Sequence, residues 1–347
     1  MRKAELIYNP VSGKEQAQQY IDEITSIIAK AGFSVQTFET TPEEKSAQKE
    51  AERAALAGID MIIAMGGDGT VHEVVNGIAG LKKRPILGII PMGTTNDYAR
   101  ALNLPRNNPI DAAQVIANQN NIAMDIGKFN DTYFVNIAAG GYMTDLTYEV
   151  SSEMKTRFGY FAYVIKGVQK AFQMQPIQMK FEYDGGSFEG EASMFFVALT
   201  NSIGGFEKMV PDSHMMDGKF SVLVVKTANL LDIIPLIRQM MLSGDHINSE
   251  HIHYFKTDIL KVTAVDGHQL MINVDGEYGG DAPAVFVNLQ QHIEICSNLE
   301  DVRQIEKNKT RKDHIRKLFN QELAFLETQQ FETIEDNQGN REEENHE

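Results

Sequence analysis

Hydrophobic positions along the chain fall into two regimes. Up to about residue 120, short apolar runs alternate with segments of helical spacing. KAELIYN (3–9) reads as a strand, and Ala17, Tyr20, Ile21, Ile24, Ile27 and Ile28 give residues 15–30 one apolar helix face. Gly32 ends that helix and FSVQTF (33–38) is a second strand. Thr41-Pro42-Glu43-Glu44 has the form of a capping box with proline at the first helical position, which predicts a helix to about Ala57. Met61–Met65 is an apolar strand followed by Gly66-Gly67-Asp68-Gly69-Thr70 and a helical pattern from Val71. PILGIIP (85–91) is a further strand, followed by Gly93-Thr94-Thr95-Asn96-Asp97, a short helix and another helix over 109–118. Strands alternating with helices predict a doubly wound parallel sheet, whose ligands bind at the carboxyl ends of the strands. Three loops fall at those ends, 9–14, 66–70 and 93–97.

From about residue 122 the period shortens to that of strands. IAMDIGKF and TYFVNIAA flank Asn130-Asp131, a hairpin signal. IQMKFEY (177–183) alternates strictly and turns at Asp184-Gly185-Gly186. ASMFFVAL (192–199), FSVLVV (220–225), DILKVTAV (258–265), LMINV (270–274) and AVFVNL (284–289) read as further strands, with helical insertions at about 153–172 and 229–243. The fold expected is α/β: an N-terminal doubly wound parallel-sheet nucleotide domain (1–127) and a C-terminal antiparallel β-sandwich domain (128–298). Val302, Ile305, Ile315, Leu318 and Phe319 predict a helix over 300–322 that packs back on the first domain. The apolar-poor segment 325–347 is expected to be an acidic, disordered tail.

Composition narrows the chemistry. The chain has 347 residues, 42% apolar and 23% charged, enough for two cores. Net charge is −16, which argues against a nucleic-acid partner. Half of that charge is local: residues 322–347 hold nine acids against Arg341, and the rest of the chain is near −8. Cys296 is the only cysteine, so an intrachain disulfide and a cysteine zinc site are both excluded, and a reducing compartment fits. The start, MRKAELIYNP, lacks the apolar length of a signal peptide, and no uncharged apolar stretch is long enough to span a bilayer.

Common nucleotide motifs are absent. There is no GxxxxGK[ST], no HRD or DFG, no GxSxG and no HExxH, and the dinucleotide fingerprint starting at Gly67 breaks at His72. GGDGT remains. It could be only a glycine-rich strand–helix turn. Its glycines would also let a phosphate approach backbone N–H groups at a helix start, with Thr70 as a further donor. Asp68 would repel a bare phosphate, and it makes sense beside Mg²⁺, which takes one or two carboxylates plus phosphate oxygens. GTTND repeats the layout with Asp97, although an ordinary helix cap has the same look. Asn273-Val274-Asp275-Gly276-Glu277-Tyr278 reads either as a β-turn or as two carboxylates on one side of an extended strand, one of which could activate a hydroxyl.

Taken together, NPVSGK near the start, GGDGT, PMGTTND and NVDGEY resemble, in this order, the soluble bacterial diacylglycerol kinases, relatives of sphingosine and ceramide kinases. The resemblance covers about residues 1–320. It implies ATP-dependent phosphorylation of diacylglycerol to phosphatidic acid. It places ATP on Asn9, Pro10, Val11, Ser12, Gly13, Thr40, Gly66, Gly67, Asp68, Gly69, Thr70, Val71, His72, Glu73 and Thr94. It makes Glu277 the general base, with Asp275 beside it, and puts Asp68, Asp97 and Asp125 in a metal–water network. It implies a structural Mg²⁺ on the Asp217 carboxylate and the main-chain carbonyls of His214 and Lys219. It also implies a homodimer. KTRFGYFAYVIKGVQKAF (155–172) mixes basic and aromatic residues, so Lys14 and Lys166 are candidates for membrane contact, with a helix covering the β domain as the plainer reading. The location expected is cytoplasmic, peripheral at the inner face of the membrane. Two other functions are open: a kinase for a long-chain base or polyprenol, and a nucleotide-sensing lipid-binding module without turnover.

Overall fold

Strand β1 (Arg2–Tyr8) shows how the first half is layered. Alternate side chains point to opposite faces of a strand. Ala4, Leu6 and Tyr8 join one core, while Ile7 joins the other. The structure, a computed structural model, describes residues 1–141, 176–201, 210, 214–226, 235–236, 239–240, 244–265 and 267–297, without the side chains of Lys14 and Glu15.

After β1 come α1 (Ser12–Glu15), a 3-10 turn (Ala17–Tyr20) and α2 (Ile21–Lys30). The single helix expected over 15–30 is therefore broken: Gln19 N–H bonds to Gln16 three residues back (3.3 Å), and the tighter turn seats Ala17 in the core. β2 (Phe33–Glu39), α3 (Ser46–Leu56), β3 (Met61–Gly66), α4 (Asp68–Ile78), β4 (Ile86–Pro91), α5 (Asp97–Ala101) and α6 (Pro109–Ala117) follow. β4, β3, β1 and β2 lie side by side in that order, all parallel. In β3, Met61, Ile63 and Met65 pack with α2 and α6, and Ile62 and Ala64 pack with α3 and α4. Helices on both faces explain why β3 is apolar throughout rather than alternating. One buried acid breaks this pattern. Glu5 lies on the α3 side, against Gln36, Glu50 and Arg53, and burial together with Glu50 pushes its carboxyl up to about 7.

The capping box expected at Thr41 does not start a helix. Thr41 Oγ1 takes the Glu43 N–H (3.3 Å) in a local turn, and α3 begins five residues on from Thr41, at Ser46, after Lys45 adopts a left-handed φ of 60°. The α3 N-terminus is satisfied from a distance: the Glu73 carboxylate on α4 accepts the Ala47 N–H at 2.9 Å.

The second half is antiparallel. Its strands are β5 (Asn121–Phe129), β6 (Thr132–Phe134), β7 (Ile137–Gly141), β8 (Ile177–Tyr183), β9 (Gly186–Ala198), β10 (Phe220–Lys226), β11 (Ile252–Thr257), β12 (Ile259–Ala264), β13 (Met271–Val274), β14 (Glu277–Asp281) and β15 (Ala284–Cys296). Asn130-Asp131 turns β5 into β6, with Phe129 opposite Thr132. Strand ladders run β14-β13-β7-β9-β8-β12-β15 and continue into β4 through Ile295 opposite Leu87. Phe129, Phe134, Phe181, Phe195, Phe220 and Phe286 fill this core, with Phe129 stacked on Phe286 at 5.1 Å.

Two departures from the sequence reading matter. β11 and β14 are additional strands. β15 runs on to Cys296, well past the expected Leu289. Gln290, Gln291 and His292 hide its continuation, and the ladder shifts between Leu289 and Ile293, with Gln291 at a φ of 48°. Beyond that bulge Ile293 and Ile295 enter the α3–α4 core, so the last strand binds the antiparallel half to the parallel sheet. The described residues all fall in one unit, Met1–Val302. The helix expected over 300–322, the tail, most of the helical insertions and Lys166 lie outside the described residues.

Candidate active site

Three backbone turns meet at the carboxyl ends of the parallel strands. Asn9 N–H bonds to Met65 O (3.0 Å), Thr40 N–H to Tyr8 O (2.9 Å) and Met92 N–H to Gly66 O (2.7 Å). These bonds bring the loops of Asn9–Gly13, Thr40, Gly66–Thr70 and Gly93–Asp97 together. Asn9 closes its own turn by accepting the Val11 N–H (3.1 Å) and the Ser12 N–H (3.1 Å). Gly13 has a φ of 64°, and a Cβ there would lie 2.5 Å from Met92 Cε.

Glycine is needed because the turns touch. A Cβ on Gly66 would sit 2.3 Å from Thr70 Oγ1. A Cβ on Gly93 would sit 2.6 Å from the Gly67 Cα. Gly69, in contrast, has open space beside it. Gly67 caps α4 in extended conformation with no side-chain acceptor, so the first N–H groups of this eleven-residue helix have no cap from their own N-terminal residue. Val11, Gly69 and Thr94 are exposed at the rim, and Thr70 and Val71 are buried beneath it. Glu73, expected beside ATP, points its carboxylate at α3 instead.

Acids gather on the side of α4 that faces the antiparallel half. Asp68 lies beside the N–H groups of Tyr98 and Asp97 at the start of α5. Burial and the Asp97 charge push its carboxyl up to about 6. Asp97 is buried at the start of α5, with Arg100 Nε at 4.0 Å. Asn96, at a left-handed φ of 49°, holds that turn by bonding Gly93 N and O (2.8 Å each). Beside them the Tyr98 hydroxyl is buried without a hydrogen-bond partner, its ionisation pushed up by burial and by Asp275 and Asp125.

Asp275 and Glu277 do not share one strand face. Asp275-Gly276 forms the turn between β13 and β14, with Asp275 at a φ of 50°. The two-residue spacing therefore does not put the carboxylates on one side: Asp275 turns inward and Glu277 is exposed at the start of β14. The Asp275 carboxylate accepts N–H groups from Val135 (2.9 Å), Asn136 (3.0 Å) and Ile137 (3.0 Å), and lies 3.3 Å from His72 Nδ1. The strand read over TYFVNIAA is split into β6 and β7 at these residues, because their N–H groups turn to Asp275.

Asp125, whose charge also reaches the Tyr98 hydroxyl, holds a further loop. Its carboxylate accepts Gly218 N–H (2.6 Å) and Gln291 N–H (2.8 Å), and its own N–H bonds to Met215 O (2.9 Å). It pins the 214–219 loop to β5. There Asp217 accepts the Lys219 N–H (3.0 Å) and pairs with Lys256 (3.6 Å), while His214 and Lys219 are exposed. Among the described residues no three His, Cys, Asp or Glu side chains converge as metal ligands. A cation here would rest on fewer carboxylates plus carbonyls or phosphate oxygens. The Asp68–Asp97 pair fits that demand, since a bound cation would offset the desolvation and the Asp97 repulsion that raise Asp68.

Sequence reasoning missed Gly93, Asn96, Asn76 and Tyr98. Asn76 had a readable signal, because Asp68, His72 and Asn76 recur every four residues and so share one helix face. Nothing in the sequence marks the Tyr98 hydroxyl.

A glycine-lined cradle on parallel strands, tied to an antiparallel sheet that presents an acid, defines a two-part α/β kinase. Residues 3–129 match the diacylglycerol kinase catalytic domain, and residues 138–297 match the YegS C-terminal NAD kinase beta sandwich-like domain. The diacylglycerol kinase of Bacillus subtilis is 45% identical over 306 residues, 88% of this chain and 100% of that one. That of Staphylococcus carnosus is 44% identical over 305 residues, 88% of this chain and 98% of that one. A crystal structure of a diacylglycerol kinase from Bacillus anthracis superposes with a TM-score of 0.74 at 29% identity, over 86% of this chain and 98% of that one. The chain belongs to the diacylglycerol kinase family. No described helix is long and apolar enough to cross a membrane.

Proposed function

We propose that this protein is an ATP-dependent kinase that transfers the γ-phosphoryl group to the free hydroxyl of diacylglycerol, giving phosphatidic acid and ADP. The observation that carries the reading is the bond between His72, one helical turn past Asp68, and Asp275, two residues before Glu277. It ties the turn that bears an exposed carboxylate to the helix that bears the phosphate cradle. ATP phosphates would bind the loop N–H groups of Gly66–Thr70 and Asn9–Gly13, with Thr40 and Thr94 at the edges. Glu277 takes the hydroxyl proton as the lipid oxygen attacks the γ-phosphorus, and ADP leaves from the opposite side. Asp68 and Asp97 would hold Mg²⁺, which neutralises charge spreading over the phosphate oxygens. Asp217 with the carbonyls of His214 and Lys219 would hold a second, structural Mg²⁺. The lipid stays in its bilayer while the enzyme docks from the cytoplasm as a homodimer, with Lys14 and Lys166 against anionic headgroups.

The test is a panel of diacylglycerol, a long-chain base and a polyprenol in mixed micelles with labelled ATP. Diacylglycerol should be the lipid labelled. Glu277→Gln should lower kcat by about 10²–10⁴-fold, the range for a general base, with little change in ATP affinity. Full activity in that variant refutes the base. Labelling of another lipid moves the substrate, and no ADP release with any lipid favours a non-catalytic module.

A further inference from the structure

We propose that His72, Asn76 and Asp275 form a positioning latch that sets the place of Glu277 from helix α4, and that Asp275 itself takes no proton from the substrate. The inference rests on the reading of Glu277 as the base. Its observation is a closed circuit of hydrogen bonds around residues 133–137, the link from β6 to β7.

At one end, Asn76 Nδ2 donates to Tyr133 O (2.9 Å), and Tyr133 N–H donates to Asn76 Oδ1 (2.9 Å). At the other, the Asp275 carboxylate accepts the N–H groups of Val135, Asn136 and Ile137. His72 joins the two ends, with Nδ1 3.3 Å from Asp275 Oδ2 and Nε2 3.3 Å from Asn76 Nδ2.

The two-way bond to Tyr133 fixes which way the Asn76 amide faces. Its two Nδ2 hydrogens go to Tyr133 O and to the His72 main-chain O (2.9 Å each), and because the Asp275 carboxylate can only accept, His72 Nδ1 carries the proton directed at it. Asp275 then accepts from four donors, which saturates its four lone-pair sites, and its side chain is only 4% exposed. It has neither the free lone pair nor the access of a base. Its left-handed φ of 50° is held by these bonds and by Asn273 Oδ1, which accepts the Gly276 N–H at 2.9 Å. Asp275 N–H also bonds to Ile137 O (2.8 Å), so the turn is gripped by backbone and side chain alike. Glu277 leaves this turn as the first residue of β14.

The experiment compares His72→Leu, His72→Asn and Asp275→Asn. The asparagine amide places an N–H where Nδ1 lies, whereas leucine removes both ring nitrogens. His72→Leu should lower kcat about tenfold or more, the loss expected for one charge-assisted hydrogen bond, while KM for ATP moves much less. His72→Asn should recover most of that loss. Amide hydrogen exchange read without substrate should show Val135–Ile137 exchanging about tenfold faster in His72→Leu and in Asp275→Asn. Unchanged kcat in His72→Leu, no recovery in His72→Asn, or wild-type protection of these amides in both variants would overturn the latch. Glu277→Gln separates the two readings: if it stays active the base is wrong, while exchange at residues 135–137 still reports the latch by itself.

Discussion

Gly93 and Gly69 offer a paired test of the phosphate cradle. In Gly93→Ala the new Cβ would fall 2.6 Å from the Gly67 Cα and 2.8 Å from Asn96 Oδ1. Carbon atoms in contact sit about 3.5–4.0 Å apart, so the 66–70 and 93–97 loops must separate by roughly 1 Å. The first obstacle is backbone, which cannot rotate away. Overpacking of this kind costs about 1–3 kcal/mol of stability. A displacement of about 1 Å among groups that position a reactant can cost about 10²-fold in rate. Gly69→Ala meets nothing within 4 Å and lies in the first turn of α4. It should gain up to about 0.5–1 kcal/mol from helix propensity, yet crowd any phosphate that approaches its N–H. Urea unfolding and ATP titration of both variants make the comparison. Gly93→Ala should lose stability and ATP affinity together. Gly69→Ala should keep or gain stability and lose ATP affinity. Wild-type ATP binding in Gly69→Ala, or wild-type stability in Gly93→Ala, would refute the cradle as described.

Two further outcomes are expected. Glu73→Ala should lower stability by about 1 kcal/mol in urea unfolding, because it strips the acceptor from the Ala47 N–H at the start of α3, and an unchanged midpoint would mean that cap is not made. Asp68 has a folded pKa of about 6 against an ordinary 3.8, so the folded state holds its proton more tightly than the unfolded state. The stability it contributes is complete below about pH 4 and is lost as pH rises through about 6. Without metal or ATP, Asp68→Asn should therefore gain on the wild type between pH 4 and pH 6.5, and a difference that is flat across that window would count against a carboxyl raised by desolvation and by Asp97.

Much of this protein was legible from residue order alone. The period change near residue 122 separated a parallel from an antiparallel half, because helices cover both faces of one sheet while strands with a single buried face alternate. The GGDGT, GTTND and Asn9–Gly13 loops were placed correctly because loops that follow parallel strands must emerge at one edge. Local signals failed where the partner is remote. Thr41 looked like a helix cap, but α3 is capped by Glu73, whose arrival depends on packing α3 against α4. The tail of β15 carried too few apolar residues to read as a strand, and it is one because β5 runs beside it over Asn121–Met124, with β4 on its other side at Leu87. The Asp-Gly turn and the paired acids were both visible at 275–277. Only tertiary structure could decide between them, since the donors that turn Asp275 inward come from residues about 140 and 203 positions away in the chain. Sequence order sets which groups can meet within one element, while packing decides which oxygen faces which N–H.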